Sequence, residues 1–148
     1  RSRDVLEAIG KKVFHIGPSG AGAQLKLVAN HLVGTVTVAL AEAFSLGIKA
    51  GIDPQLMVEV LRPGAAGSKM LDVRGPLMAR GDFETQMKIE MFLKDFRLIL
   101  GNGQSLGAPL PMVSLAQQVA TAASSMGYGT KDLASVIKVF EEMADIKR

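Results

Sequence analysis

The sequence predicts an all-α protein: a multi-helix bundle around one long central helix, preceded by a short helix–strand segment. Hydrophobic residues make up 48% of the chain, yet there are only six Phe, one Tyr and no Trp. The core must therefore be aliphatic and poor in strand-forming side chains, which favours packed helices. Residues 23–50 contain no proline and only two glycines. Prolines, glycines and capping residues then divide the rest of the chain into shorter helical segments.

The first sixteen residues have a different pattern from the rest. Arg3–Ile9 is typical of the end of an amphipathic helix, Gly10 is typical of its stop, and residues 13–16 have the pattern of a short buried strand. A helix followed by a single apolar strand is part of an α/β unit that has no sheet to join. We therefore expect residues 1–16 to be a remnant of an upstream α/β domain.

The central helix is predicted over residues 23–50, and a helix of that length spans roughly 40 Å. Residues 34–38 read Gly-Thr-Val-Thr-Val, which is strand-like by propensity. No turn residues bracket that run, and both flanks are rich in Ala, Leu and Val. We therefore predict a continuous helix, buried by other helices because apolar residues lie all round it.

The later helices follow from start and stop signals. Asp53-Pro54 is an N-cap followed by proline at the first helical position, and it begins a short helix that runs to about Leu61. Ser68 caps another short helix, which we expect to stop before Pro76. Three more helices are predicted: residues 89–100 up to a glycine-rich stop, a segment from the prolines at 109 and 111 to residue 126, and residues 132–143.

Composition excludes several classes of function. The chain has no cysteine, so it holds no disulfide, thiolate zinc site or cysteine nucleophile. Its histidines and carboxylates do not cluster at ligand spacing, and we predict no metal site. The net charge is +3, but the basic residues are scattered, which predicts a solvated surface and no nucleic-acid partner. The longest apolar run, residues 32–41, is half a membrane span, and we expect a cytoplasmic protein without a membrane partner.

Two places in the chain have residues that could carry chemistry. Lys26 and Asn30 lie four positions apart on the long helix and share one face. A lysine in so apolar a segment is costly to bury unless it has a partner or a task. Spacing alone favours the plain alternative, a lysine that reaches solvent beside a surface asparagine. Lys94 and Asp95 form the second place, and their spacing alone predicts a solvent-facing pair.

The glycines before the long helix also invite a phosphate-binding interpretation. Gly17, Gly20 and Gly22 have the spacing G-x-x-G-x-G, whereas the dinucleotide fingerprint is G-x-G-x-x-G. We interpret them as a tight turn at the entrance to the helix.

Taken together, residues 17–30, which read GPSGAGAQLKLVAN, resemble the signature that opens the second domain of β-hydroxyacid dehydrogenases. That family includes 3-hydroxyisobutyrate dehydrogenase, tartronate semialdehyde reductase and the glyoxylate/succinic semialdehyde reductases. The resemblance covers about residues 13–143. Further matches follow in order: Ala41-Glu42-Ala43, Lys49-Ala50-Gly51, Gly64 to Ser68, Lys94-Asp95 and Pro109-Leu110-Pro111.

The resemblance implies an oxidoreductase that transfers hydride between NAD or NADP and a small β-hydroxy acid or its semialdehyde. In that family the lysine matching Lys26 is the catalytic acid/base, and the asparagine matching Asn30 helps to hold the substrate. The lysine matching Lys94 reaches the cofactor near its nicotinamide end. Asp95 is similar to a residue near the active site and is expected to bind substrate. Met87 stands where many relatives have a phenylalanine in the substrate pocket, which leaves the substrate itself open.

The resemblance also implies a division of labour. Residues 1–16 would belong to an N-terminal nucleotide-binding domain, and residues 17–148 would form a helical substrate and dimerisation domain, so the protein would be a homo-oligomer (a dimer or tetramer). The upstream domain would supply most of the cofactor site and the loops that hold the substrate's carboxylate, and the chain alone should be inactive. A competing class is a non-catalytic helical interaction or dimerisation module, which has no need of an upstream strand followed by G-x-G-x-x-G.

Overall fold

The computed structural model describes residues 3–148, in which all the regular secondary structure is helical. The helices are α1 Arg3–Ile9, α2 Ala21–Lys49, α3 Pro54–Leu61, α4 Lys69–Arg80, α5 Ile89–Leu106, α6 Pro111–Ala123 and α7 Ile137–Met143. A π-helical turn over Ser124–Tyr128 follows α6, and a 3₁₀ turn over Leu133–Val136 precedes α7. The prediction of an all-α bundle is confirmed.

The long helix α2 is the centre of the bundle and packs against α3, α4, α5, α6 and α7. The strand-like run is helical, as predicted, because its polar groups find partners within the helix. The hydroxyls of Thr35 and Thr37 donate to the carbonyl oxygens of His31 (2.8 Å) and Val33 (2.6 Å). By length and composition alone α2 also passes for a membrane span, as core helices of bundles do. Its contacts with five other helices favour the core interpretation.

The close crossing of α2 and α5 requires a glycine at position 34. A Cβ at Gly34 would lie 2.5 Å from Cε1 of Phe96 and 2.7 Å from Cε1 of Phe92. These two rings pack edge to face, with centroids 4.9 Å apart, and both are buried. Glycine therefore allows the α5 rings to contact the α2 backbone directly. This contact fixes the preceding turn of α2 against α5.

The segment before α2 differs from the prediction. The helix Arg3–Ile9 forms, but the strand predicted over residues 13–16 does not, and residues 12–16 have no regular secondary structure. A strand needs a neighbour to receive its backbone hydrogen bonds, and the described residues offer none. The first two residues of the segment 1–16 lie outside the described residues. Gly20, in the left-handed region at φ 95°, makes the predicted turn into α2.

Two helices run further than predicted. Helix α4 passes through Pro76 to Arg80, because its second half carries buried side chains whose packing offsets the backbone hydrogen bond that proline lacks. Helix α5 continues past the first two glycines to Leu106, and it ends at Gly107, which adopts φ 67°. The starts at Asp53, Ser68 and Asp132 are confirmed, since each side chain accepts a hydrogen bond from a backbone N–H of its first turn.

Candidate active site

A cleft of about 550 Å³ opens where α2, α4 and α5 meet. Three of the four predicted site residues line it: Lys26, Asn30 and Asp95. Their neighbours in the cleft wall are mostly apolar, with one further cation: Ala23, Leu27, Val33, Met70, Arg74, Met87, Phe92 and Leu98. The fold therefore brings α2 and α5 residues that are distant in sequence into one small cleft.

Asn30 and Asp95 are joined directly across the cleft. The Asn30 Nδ2 donates to Asp95 Oδ2 over 3.0 Å, and Asn30 is only 9% exposed. The described residues give Asp95 no cationic partner and give neither side chain a second side-chain hydrogen bond. The Asn30 carbonyl oxygen and the other Asp95 oxygen are thus available as acceptors for a polar ligand. The pair orients these acceptors because each side chain holds the other.

Lys26 lies one helical turn before Asn30 and lines the same cleft, but it is exposed. The first turns of α2 extend beyond the packed core, so the lysine is not buried by the described residues. It forms no ion pair with any of them. Its ammonium group is therefore free to meet a ligand in the cleft, next to the acceptors of Asn30 and Asp95.

Lys94 is placed differently from the other three. It is exposed on α5 and is not part of the cleft lining, although it is next to Asp95 in the chain. Successive residues on a helix point about 100° apart, so the two side chains leave α5 on different faces. Lys94 can therefore contact a ligand or a partner that lies outside the cleft.

Arg74 is a cleft residue that the sequence analysis missed. It is 5% exposed and lies on the buried face of α4, together with Leu71, Gly75 and Met78. These positions have the i, i+3, i+4, i+7 spacing of one helix face, so an arginine among them was the available signal. Burial lowers the pKa of the Arg74 guanidinium below its ordinary value, and the nearby Asp132 carboxylate opposes part of that shift.

Asp132 holds the loop that supplies Met87 to the cleft. Its side chain is 1% exposed and accepts from the backbone N–H groups of Gln86 (3.1 Å), Met87 (2.9 Å) and Ala134 (2.9 Å). The backbone N–H of Leu133 also donates to the Met87 carbonyl oxygen over 2.9 Å. The backbone at Met87, whose side chain lines the cleft, is thus held by a buried carboxylate 45 residues later in the chain.

Uncovered apolar surface lies on another face of α2. Leu25, Val28 and Leu32 form a stripe along this helix, and they are 47%, 56% and 57% exposed. They lie roughly 100–160° around the helix from Lys26 and Asn30, and none of them lines the cleft. An exposed apolar stripe of this kind is typical of a surface that another body covers.

Comparison with known proteins gives the class to which this fold and cleft belong. Residues 20–140 match a family model described as "NAD-binding of NADP-dependent 3-hydroxyisobutyrate dehydrogenase". Because the match covers most of the chain, the chain belongs to this family of NAD(P)-dependent β-hydroxyacid dehydrogenases, as its resemblance predicted. NAD or NADP is accordingly the cofactor of the class.

Individual relatives agree with the family. The chain is 36% identical to 2-(hydroxymethyl)glutarate dehydrogenase of Eubacterium barkeri, over 96% of its own length and 48% of the relative. It is 35% identical to L-threonate dehydrogenase of Cupriavidus necator, over 94% of its length and 47% of the relative. The crystal structure of 3-hydroxyisobutyrate dehydrogenase from Salmonella typhimurium superimposes with a TM-score of 0.89 at 34% identity, covering 93% of this chain and 49% of that one. The chain thus spans about half the length of these relatives.

Proposed function

We propose that this chain is the C-terminal substrate domain of an NAD(P)-dependent dehydrogenase that interconverts a small β-hydroxy acid and its semialdehyde. The observation that carries the proposal is the cleft in which Lys26 lies beside the hydrogen-bonded pair of Asn30 and Asp95. Family membership supports the reaction class. It also favours an enzyme over the alternative of a non-catalytic interaction module.

In this mechanism Lys26 moves the proton. In the oxidising direction a neutral Lys26 Nζ takes the proton from the substrate hydroxyl, whose carbon becomes the carbonyl carbon. In the reducing direction the Lys26 ammonium returns that proton to the carbonyl oxygen. When bound, NAD(P) accepts or supplies the hydride. General acid–base catalysis of this kind contributes about 10²–10⁴-fold in rate.

Asn30 and Asp95 position the reacting group for that proton transfer. Asn30 can offer its carbonyl oxygen to the substrate hydroxyl or to the lysine, without adding charge. Asp95 keeps the amide in one orientation, and its second oxygen can accept from the substrate or attract the Lys26 ammonium. The two side chains thereby hold the hydroxyl oxygen within reach of Lys26, a positioning effect that depends on the spacing of α2 and α5.

The described residues fit a wall of the cofactor site and not its phosphate-binding part. They contain no strand followed by a glycine-rich turn and a helix. Lys26 lines the cleft and is exposed, so a nucleotide-binding domain would close the cleft on the side of this residue. Lys94, exposed on α5 outside the cleft, is the residue proposed to reach the cofactor. The domain assignment of residues 1–16 and 17–148 is part of this proposal.

A substitution of Lys26 tests the catalytic role in the full-length enzyme. Lys26→Ala should lower kcat by about 10²–10⁴-fold and leave cofactor affinity nearly unchanged, because Lys26 acts on the proton and not on the cofactor. Lys69→Ala, an exposed lysine on α4 outside the cleft, is the matched control. Steady-state kinetics with cofactor titration measures both. An active Lys26→Ala enzyme would refute the assignment.

The 148-residue chain by itself should bind NAD(P) weakly or not at all and should be inactive, because the phosphate-binding turn is not among its described elements. Isothermal titration calorimetry of the chain with NAD⁺ and NADP⁺ measures this. Micromolar binding to the chain alone would contradict the proposed division between the two domains.

We also propose a homo-oligomer, a dimer or tetramer. A groove of about 520 Å³ between the end of α2 and α3 is lined only by apolar residues, including Leu46, Leu56 and Val60, which are 73%, 50% and 62% exposed. An apolar groove of this kind favours self-association, in which the same patch occurs on both copies. Cytoplasmic location and the absence of nucleic-acid and membrane partners remain predictions.

A further inference from the structure

The Arg74 guanidinium is a buried cation whose hydrogen-bonding capacity is almost unused. Its side chain is 7% exposed, and its Nη1 donates to the thioether sulfur of Met70 over 2.9 Å. A thioether is a weak acceptor. Its Nε is buried with no hydrogen-bond partner, and Nη2 donates to none of the described residues. Buried polar groups are normally paired, so a buried arginine with so few hydrogen bonds is a candidate for ligand binding.

The one carboxylate near Arg74 does not meet this need. Asp132 Oδ1 forms a buried ion pair with Arg74 Nε at 3.5 Å, at the outer limit of hydrogen-bonding distance, and the geometry leaves Nε without a hydrogen bond. Both Asp132 oxygens already accept from backbone N–H groups, Oδ1 from Ala134 and Oδ2 from Gln86 and Met87. Asp132 therefore compensates part of the charge of Arg74, but among the described residues only the weak Met70 acceptor receives a hydrogen bond from the guanidinium.

The surroundings of Arg74 restrict what kind of ligand it takes. Arg74 and Met70 line the cleft that also holds Lys26, Asn30 and Asp95, so a molecule in the cleft can reach the arginine. A guanidinium remains cationic at any physiological pH, and its fork matches the two oxygens of a carboxylate. Lys26 and Arg74 lie on different helices, α2 and α4. One small molecule can therefore meet the lysine with its hydroxyl and the arginine with a carboxylate.

We propose that Arg74 is a specificity-determining residue that binds a second carboxylate, one remote from the reacting carbon, so that the preferred substrate is a β-hydroxy acid with a carboxylate on its side chain. This inference rests on the proposed function, in which Lys26 and Asn30 engage the hydroxyl group. The family resemblance implies that the upstream domain holds the carboxylate next to the reacting carbon, which leaves Arg74 for the other end of the molecule.

Two substrates with the same reacting group test the proposal in the full-length enzyme. 2-(Hydroxymethyl)glutarate carries a carboxyethyl side chain where 3-hydroxyisobutyrate carries a methyl group, and the 5-amide of the former keeps its shape without the charge. The wild-type kcat/KM should be about 10- to 100-fold higher for the dicarboxylate than for its 5-amide, since hydrogen bonds to charged groups are worth that factor. 3-Hydroxyisobutyrate should be as poor a substrate as the amide, or poorer.

The Arg74→Met variant should bring the ratio between dicarboxylate and amide close to one, mainly through a higher KM for the dicarboxylate. Arg74→Lys keeps the charge without the fork and should retain part of the ratio. Arg80→Met is the matched control, because Arg80 is exposed at the end of the same helix and does not line the cleft. A loss of activity by Arg74→Met that is equal for both substrates would show a structural role and overturn the proposal.

A measurement on the wild-type enzyme covers the case in which Arg74→Met does not fold. Glutarate should inhibit competitively at a concentration about tenfold or more below that of butyrate, since only glutarate has the second carboxylate. Equal inhibition by the two acids would overturn the proposal. The role of Arg74 and the proposed mechanism can be refuted independently. Activity on 3-hydroxyisobutyrate without preference for the dicarboxylate would refute only the role of Arg74. Full activity of Lys26→Ala would refute the proposed mechanism.

Discussion

The crossing of α2 and α5 at Gly34 gives a prediction whose size follows from the coordinates. In Gly34→Ala the new Cβ would lie 2.5–2.7 Å from three ring atoms of Phe96 and Phe92. Ordinary carbon–carbon contacts are about 3.5–4.0 Å, so the overlap is about 1 Å. The rings cannot turn aside, because both are buried and packed against each other. The two helices must therefore separate.

Overpacking of this kind costs about 1–3 kcal/mol, and the tight geometry places Gly34→Ala near about 3 kcal/mol. The higher helix propensity of alanine stabilises α2 by about 1 kcal/mol relative to glycine, so the net destabilisation is about 2 kcal/mol. For a domain of this size the melting temperature should fall by about 4–8 °C. Separation by about 1 Å would also lengthen the bond between Asn30 and Asp95, one turn away, beyond hydrogen-bonding distance.

Thermal unfolding of the chain followed by far-UV circular dichroism measures the effect. Gly101→Ala is the matched control, because Gly101 lies within α5 and a Cβ there meets nothing within 4 Å. That variant should gain about 0.5–1 kcal/mol and melt about 1–4 °C higher. The reasoning is refuted if Gly34→Ala melts at or above the wild-type temperature, or if the two alanine variants shift in the same direction.

Two further substitutions test the buried carboxylates. Asp132→Ala removes the acceptor of three backbone N–H groups and leaves the charge of Arg74 uncompensated. The free energy of unfolding, measured in urea, should fall by about 3–5 kcal/mol. A fall of less than about 1 kcal/mol would contradict this role. The Glu141 carboxylate is 2% exposed and forms ion pairs with Lys138 Nζ (2.7 Å) and Arg148 Nη2 (2.6 Å). Glu141→Gln should therefore lower the free energy of unfolding by about 1–3 kcal/mol. Glu142 is exposed, and the control variant Glu142→Gln should unfold like the wild type.

The helices that could be predicted are those whose signals are local. The long helix was placed within two residues of its observed bounds, and the caps at Asp53, Ser68 and Asp132 were located from single residues. Cap and proline signals act within one turn, so sequence alone contains them. Boundaries failed where packing decides: α4 continues beyond Pro76, and α5 beyond Gly101, because the residues that follow are held by other helices.

The candidate site was predicted less completely, for a physical reason. Lys26 and Asn30 share a helix face, which spacing shows, but Asp95 joins them from 65 residues away and only the family resemblance pointed to it. Arg74 was missed because its burial depends on the tertiary packing of α4. The strand predicted over residues 13–16 is wrong because a strand needs a hydrogen-bonding neighbour, and the described residues offer none.

Phe92 belongs to two parts of the molecule at once. Its ring is 2% exposed within the core, packs on Phe96 against Gly34, and also forms part of the cleft wall. A smaller residue at position 92 would widen the cleft only by leaving a cavity at the crossing of α2 and α5. If the proposed function holds, a substitution at Phe92 that admits bulkier substrates will therefore lower the thermal stability of the domain. Met87 lines the same cleft but takes no part in the contact at Gly34, so a change of its side chain leaves the crossing of α2 and α5 intact.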